Sequence, residues 1–127
     1  MKTVLVCSQT STTRDRLLEE LSQAFVVQAV HTHNDVLEHV RETPTDIILA
    51  EARRDHFADF LRRILEMRPE AAVHLFQDSW VFCHYPLKRP SHALMHAVDG
   101  AGLAYPSGLV RRSGAPRTAE DRLVINA

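Results

Sequence analysis

The sequence predicts an α/β domain with a doubly wound parallel sheet, and three observations carry that reading. Strand-like and helix-like segments alternate through the first seventy-odd residues. Residues 45 to 51, Thr-Asp-Ile-Ile-Leu-Ala-Glu, are a short apolar run that follows Pro44 and ends on a carboxylate, Glu51. Buried parallel strands read as such runs, and this one delivers a single acid to the carboxyl edge of a sheet. Phe57, Phe60, Leu61, Ile64 and Leu65 recur at i, i+3, i+4, i+7 and i+8, the apolar stripe of an amphipathic helix that stops near Pro69.

The other elements follow in order. Val4 to Val6 is the first strand, and a Ser/Thr cluster from Ser8 to Thr13 leads into a helix carrying Leu17, Leu18, Leu21 and Phe25. Thr12 with Asp15 three residues on resembles a capping arrangement at its start. Val26 to Val30 is the second strand. Thr32 or Asn34 caps the next helix, in which Val36, Leu37 and Val40 share a face and which ends before Pro44. The third strand is Asp46 to Ala50 and the fourth is Ala71 to Phe76.

Beyond Phe76 the alternation falters. Only the four residues Gln77 to Trp80 separate it from the next apolar run, Val81-Phe82-Cys83. A parallel crossover needs about a dozen residues or more, so that run is not the next parallel strand. In the favoured threading, residues 77 to 90 are an insertion, 91 to 99 the fourth helix and 101 to 105 the fifth strand, with a final helix from near Thr118. The other threading makes Val81 to Tyr85 the fifth strand, loses the fourth helix and leaves residues 100 to 127 as an appendage. The expected division is a domain over residues 1–105, possibly reaching 127, with a linker and C-terminal helix or appendage over 106–127.

With 127 residues, 45% hydrophobic and 24% charged, the chain has the make-up of one globular domain with a single core. A formal net charge of -1 gives no general reason to expect nucleic acid or an anionic membrane as partner. Cys7 and Cys83 stand far apart without metal-ligand spacing, and no leader or spanning run is read, so a reduced, cytoplasmic protein is expected.

In open α/β sheets, ligands and chemistry gather outside the carboxyl ends of the strands. There the third strand offers Glu51, whereas the first ends on Cys7-Ser8-Gln9 and adds no second carboxylate. One acid alone is a poor holder of a divalent cation, which takes several oxygen ligands. Neither metal nor cofactor is expected, and the chain reads as a binding and signalling module rather than an enzyme.

Three segments carry a resemblance to a family. Lys2-Thr-Val-Leu-Val-Cys-Ser-Gln, Thr45-Asp-Ile-Ile-Leu-Ala-Glu, and Phe60-Leu-Arg-Arg-Ile-Leu-Glu-Met-Arg-Pro-Glu-Ala-Ala-Val-His-Leu-Phe resemble the receiver domain of two-component response regulators over roughly the first hundred residues. The resemblance implies a flavodoxin-like (CheY-like) sheet of five strands, here with an altered region around the fourth helix and fifth strand. It also implies that the phosphoryl-accepting Asp of that family maps to Glu51. The magnesium-binding acids map to the uncharged Cys7, Ser8 and Gln9, and the Ser/Thr closing the fourth strand maps to Gln77. The Lys after the fifth strand maps to nothing in the favoured threading and to Lys88 in the other, and Tyr105 takes the aromatic switch position. Phosphoryl transfer depends on positioning and cationic stabilisation, so the resemblance implies a degenerate receiver. Glu51, one methylene longer than Asp, either reaches toward the place of a phosphoryl oxygen or is a solvated acid at a strand end.

Val4-Leu-Val-Cys7-Ser-Gln-Thr-Ser-Thr-Thr also looks like the start of sugar phosphotransferase IIB subunits, whose cysteine carries a phosphoryl group. That gives an alternative function, phosphoryl transfer through Cys7, set against a buried structural thiol. A structural adaptor with no switching is a third reading. His31 with His33, and His92 with His96, have spacings that can ligate zinc but lack a companion ligand, so they read as ordinary histidines. The Arg pairs at 53–54, 62–63 and 111–112 read as solvated charge. Trp80, Phe82 and Tyr85 form the most aromatic stretch and are the expected contact surface for a protein partner or a second copy of the chain.

Overall fold

The computed structural model describes residues 1–106. The expected linker beyond Pro106 and the helix near Thr118 lie outside the described residues. The elements run β1 (Thr3–Cys7), α1 (Ser11–Leu21), β2 (Val26–Val30), α2 (His33–Glu42), β3 (Ile47–Glu51), α3 (Ala58–Met67), β4 (Ala72–Gln77), β5 (Trp80–Tyr85) and α4 (His92–Gly100). Five strands form one sheet in the order β2-β1-β3-β4-β5. The pairs β1–β2, β1–β3 and β3–β4 are parallel, and β5 lies antiparallel to β4.

Each central strand is buried on both faces, and its residues alternate between two cores. Leu5, Cys7, Ile48, Ala50, Val73 and Leu75 face one layer, where Val36 and Val40 of α2 meet Phe60, Leu61 and Ile64 of α3. Val4, Val6, Ile47, Leu49 and Phe76 face the other, against Leu17 and Leu21 of α1 and Leu94, Ala97 and Val98 of α4. Of the apolar stripes expected for the first three helices, Leu17, Leu21, Val36, Val40, Phe60, Leu61 and Ile64 are buried and Leu18, Leu37 and Leu65 only partly so, while Phe25 lies beyond the end of α1. Thr32 caps α2 in a full capping box with Asp35. The expected Thr12 cap is absent: α1 begins two residues earlier than that cap implies, at Ser11, with Thr10 as the capping residue and no side-chain cap bond.

The region after Phe76 corrects the favoured threading. Residues 77 to 90 are not an insertion, because Trp80–Tyr85 is the fifth strand. Asp78 and Ser79 connect β4 to β5 as a two-residue hairpin, with Asp78 at φ 56 in the left-handed region. Four residues are too few for a crossover but sufficient for an antiparallel return. The other threading placed the fifth strand correctly at Val81 to Tyr85 but lost the fourth helix, which is kept and follows β5. Residues 101 to 105 make no fifth strand. They touch the sheet through one parallel bridge, Trp80 to Ala104, closed by Val81 N–H to Ala104 O at 2.9 Å and Ala104 N–H to Ser79 O at 2.8 Å. Pro106 stands at the next ladder position and has no N–H to donate, which accounts for the bridge stopping there.

The register of β4 on β5 slips between Leu75 and Phe76. As in a β-bulge, two neighbouring residues then oppose one. Phe82 and Cys83, adjacent in sequence, both enter the α2–α3 core. Among the described residues no helix is long and apolar enough to cross a membrane.

Candidate functional site

From β1 the chain winds outward to β2 and then returns to β3 on the other side. The carboxyl ends of β1 and β3 therefore flank a topological switch point, the usual crevice of an open α/β sheet. A cleft of about 530 Å³ lies there, lined by Ser8, Gln9, His31, His33, Glu51 and Gln77 among others.

Glu51 ends β3, half-buried, and its carboxylate turns back onto the β1–α1 loop. The buried Ser8 hydroxyl donates to Glu51 Oε1 at 3.0 Å and the Gln9 N–H donates to the same oxygen at 3.3 Å. Arg14 holds the loop from the other side, its Nη1 donating to the Ser8 carbonyl at 2.8 Å. His33 Nε2 donates to the Glu51 carbonyl at 2.8 Å, while its ring stacks on Phe60 with centroids 3.7 Å apart. The acid is thus fixed by neighbours that donate hydrogen bonds to it.

Gln77, at the end of β4, is bonded elsewhere: its Oε1 accepts the Arg54 N–H at 3.0 Å. Glu51 and Gln77 line one cleft without sharing a bond, so the carboxylate does not bridge to the position expected to sense it. The residues beside Glu51 do not fit a magnesium ion. Ser8 O–H and Gln9 N–H are donors aimed at the carboxylate, whereas a hard cation needs several oxygens turned toward itself. Among the described residues, no group of three or more His, Cys, Asp or Glu is placed to hold a metal.

Cys7 reaches the cleft only from beneath. Burial pushes its thiol up to about 12, with the Asp35 and Glu51 carboxylates adding to the rise. A nucleophilic thiol needs the opposite environment, so the surroundings of Cys7 favour a structural thiol over a phosphoryl carrier.

Two expected site residues stand away from the cleft. Because β5 runs backwards, its far end, Tyr85, pairs with Val73 near the start of β4. Lys88, three residues on and exposed, is carried toward the amino edge of the sheet and is not beside Glu51. Tyr105 is partly buried on the α1–α4 side, its hydroxyl 2.9 Å from His74 Nδ1 in mid-strand β4.

The aromatic stretch divides likewise. Trp80 is 49% exposed, but Phe82 is 1% exposed and meets Phe57 edge-on at 5.3 Å, and Tyr85 packs partly buried against the same core. Phe82 is therefore corrected from a contact residue to a core residue, and of the three Trp80 alone is largely free. The Arg62 and Arg63 side chains are solvated, both paired with Asp59 on the surface of α3. Sequence reasoning missed His74 and His84, which are buried. The available signal was their inward position within apolar strands.

No family model and no curated protein sequence matches the chain. Among solved structures it is similar to one described as "BeF3 Activated DrrB Receiver Domain", with a TM-score of 0.53 and 19% sequence identity over 83% of this chain and 82% of that one. The likeness shows the fold: a five-stranded, mostly parallel α/β sheet of the receiver type, here with its last strand reversed.

Proposed function

We propose that this chain is a degenerate receiver module of signal transduction or transcription control, which works by protein contact and not by phosphorylation at its carboxyl-edge acid. The observation that carries the proposal is the tethered state of Glu51, whose Oε1 accepts from both Ser8 and Gln9. A carboxylate so held is neither free to attack a phosphoryl donor nor flanked by ligands for the cation that would stabilise the transfer. On this reading the domain has no enzymatic activity, no cofactor and no resident metal. Its partner is another protein or a second copy of the chain, met through the edge that presents Trp80, and it acts in the cytoplasm without binding nucleic acid or membrane itself.

Incubation with acetyl phosphate and magnesium, followed by intact mass, tests this directly. The expected result is an unmodified chain, and Glu51→Asp alone is expected to stay unmodified too. A stable phospho-adduct on the natural chain overturns the proposal.

A further inference from the structure

The α1–α4 side of the sheet holds a polar cluster that plays no part in the proposed function. His74 on β4 and His84 on β5 are cross-strand partners, 4% and 1% exposed. Their rings stack with centroids 5.2 Å apart and 9° between planes. Tyr105 closes over them, its hydroxyl 2.9 Å from His74 Nδ1 and its ring edge-on to both imidazoles. Among the described residues the buried Nε2 of His84 has no hydrogen-bond partner.

Among the described residues no carboxylate is buried with the pair. Leu49 of β3 stands opposite His74. On α4 the buried residues are Leu94, Ala97 and Val98, whereas His92, His96 and Asp99 are exposed. On α1 the buried residues are Leu17 and Leu21, and none of Arg14, Asp15, Arg16, Glu19 or Glu20 is buried. Lys88 and Arg89, between β5 and α4, are exposed.

From this arrangement we propose that His74, His84 and Tyr105 form a proton-sensitive latch, in which protonation of the histidine pair releases Tyr105 and the segment 104–106 while the sheet stays folded. A proton added at His84 Nε2 becomes a buried donor with no acceptor, and a second charge on His74 sits a ring-stack away from the first. Burial holds His74 down to about 3, helped by His84, and holds His84 down to about 4 against a backbone hydrogen bond at Pro86. Once Tyr105 lifts away, water reaches both rings and they regain an ordinary affinity. Below about pH 6.5, each histidine freed then favours the open form up to about tenfold per pH unit.

Opening is local because the lid is lightly held. Ala101 and Leu103 are buried in the α1–α4 core and stay there, so the part that lifts is 104–106, fastened by the two bonds of the Trp80–Ala104 bridge and the Tyr105 hydroxyl, and Pro106 extends the pairing no further. The histidines themselves sit on two paired strands that stay in the sheet.

Trp80 is the chain's one tryptophan and pairs with Ala104, so it reports on the lid. The full chain is titrated from about pH 7.5 to about pH 4, following Trp80 emission and far-UV circular dichroism together. The expected result is an emission step that takes up two protons and lies at least about half a pH unit above any loss of helix signal. Tyr105→Phe, which keeps the ring and removes the bond to His74, is expected to move the step to higher pH. His84→Phe is expected to reduce it to one proton. Coincident emission and dichroism transitions overturn the proposal, as does a step unchanged in both variants.

Discussion

Ser8 and Glu51 are joined across β1 and β3 by a hydrogen bond of 3.0 Å, from a fully buried hydroxyl to a half-buried carboxylate. The same Ser8 oxygen accepts the Thr10 N–H at 3.2 Å, at the mouth of α1. Ser8→Ala removes both bonds and leaves the loop to be held by Arg14 and by the Gln9 N–H. A hydrogen bond to a charged group contributes about 1.5–3 kcal/mol, less where water can replace it. The expected loss is therefore ~1–2 kcal/mol, read as a lower urea midpoint with an unchanged slope.

Phe82 and Trp80, two residues apart, are expected to respond oppositely to truncation. Phe82 is buried in the α2–α3 core against Phe57, so Phe82→Ala should lower stability by ~3–5 kcal/mol. Trp80 is half exposed at the sheet edge. Trp80→Ala should cost the fold less than about 1 kcal/mol and instead weaken association with a partner or second copy. Denaturant melts alongside sedimentation of each variant separate the two effects; equal destabilisation by both would place Trp80 in the core.

Asp78 adopts φ 56 in the hairpin between β4 and β5. That region is unfavourable for a residue with a Cβ and free for glycine. Asp78→Gly is expected to raise stability by ~0.5–1 kcal/mol, seen as a higher thermal midpoint, and a drop would show that the Asp78 side chain holds the turn.

The buried histidines give the fold a definite acid sensitivity. Both are held below their ordinary value, His74 at about 3 and His84 at about 4, so the folded chain keeps them neutral while the unfolded chain takes up protons first. Stability is full above about pH 6.5 and, while Tyr105 keeps the pair closed in, falls with pH by ~1.4 kcal/mol per pH unit for each histidine, levelling off once the latch opens. Urea midpoints at several pH values should show that slope, and His84→Phe should halve it. A stability independent of pH between about 6.5 and 5 would contradict the burial of the pair.

The first four strands and three helices were legible because their burial follows period and punctuation. Pro44 and Pro69 end two helices, and the stripe from Phe57 to Leu65 is the face that α3 buries. The fifth strand was legible only as the second of two threadings and its direction not at all, since the short gap between Phe76 and Val81 excludes a parallel partner and says nothing against an antiparallel one. That reversal moved Lys88 to the far edge of the sheet, and the bulge turned Phe82 inward, neither of which residue spacing encodes. At the site, the meeting of Glu51 with Ser8 and Gln9 followed from strand ends alone. The His74–His84 pair did not, because it depends on the β4–β5 register.

The measurement that bears most directly on the role of Glu51 is a titration with beryllofluoride and magnesium, followed in the amide spectrum of the full chain. With Glu51 held by Ser8 and Gln9 and no oxygen set for the cation, the resonances of Ser8, Gln9, Glu51 and Gln77 should not move. A saturable, magnesium-dependent shift at those four residues would show a working acceptor site and contradict the reading of this domain as a receiver that signals without phosphorylation.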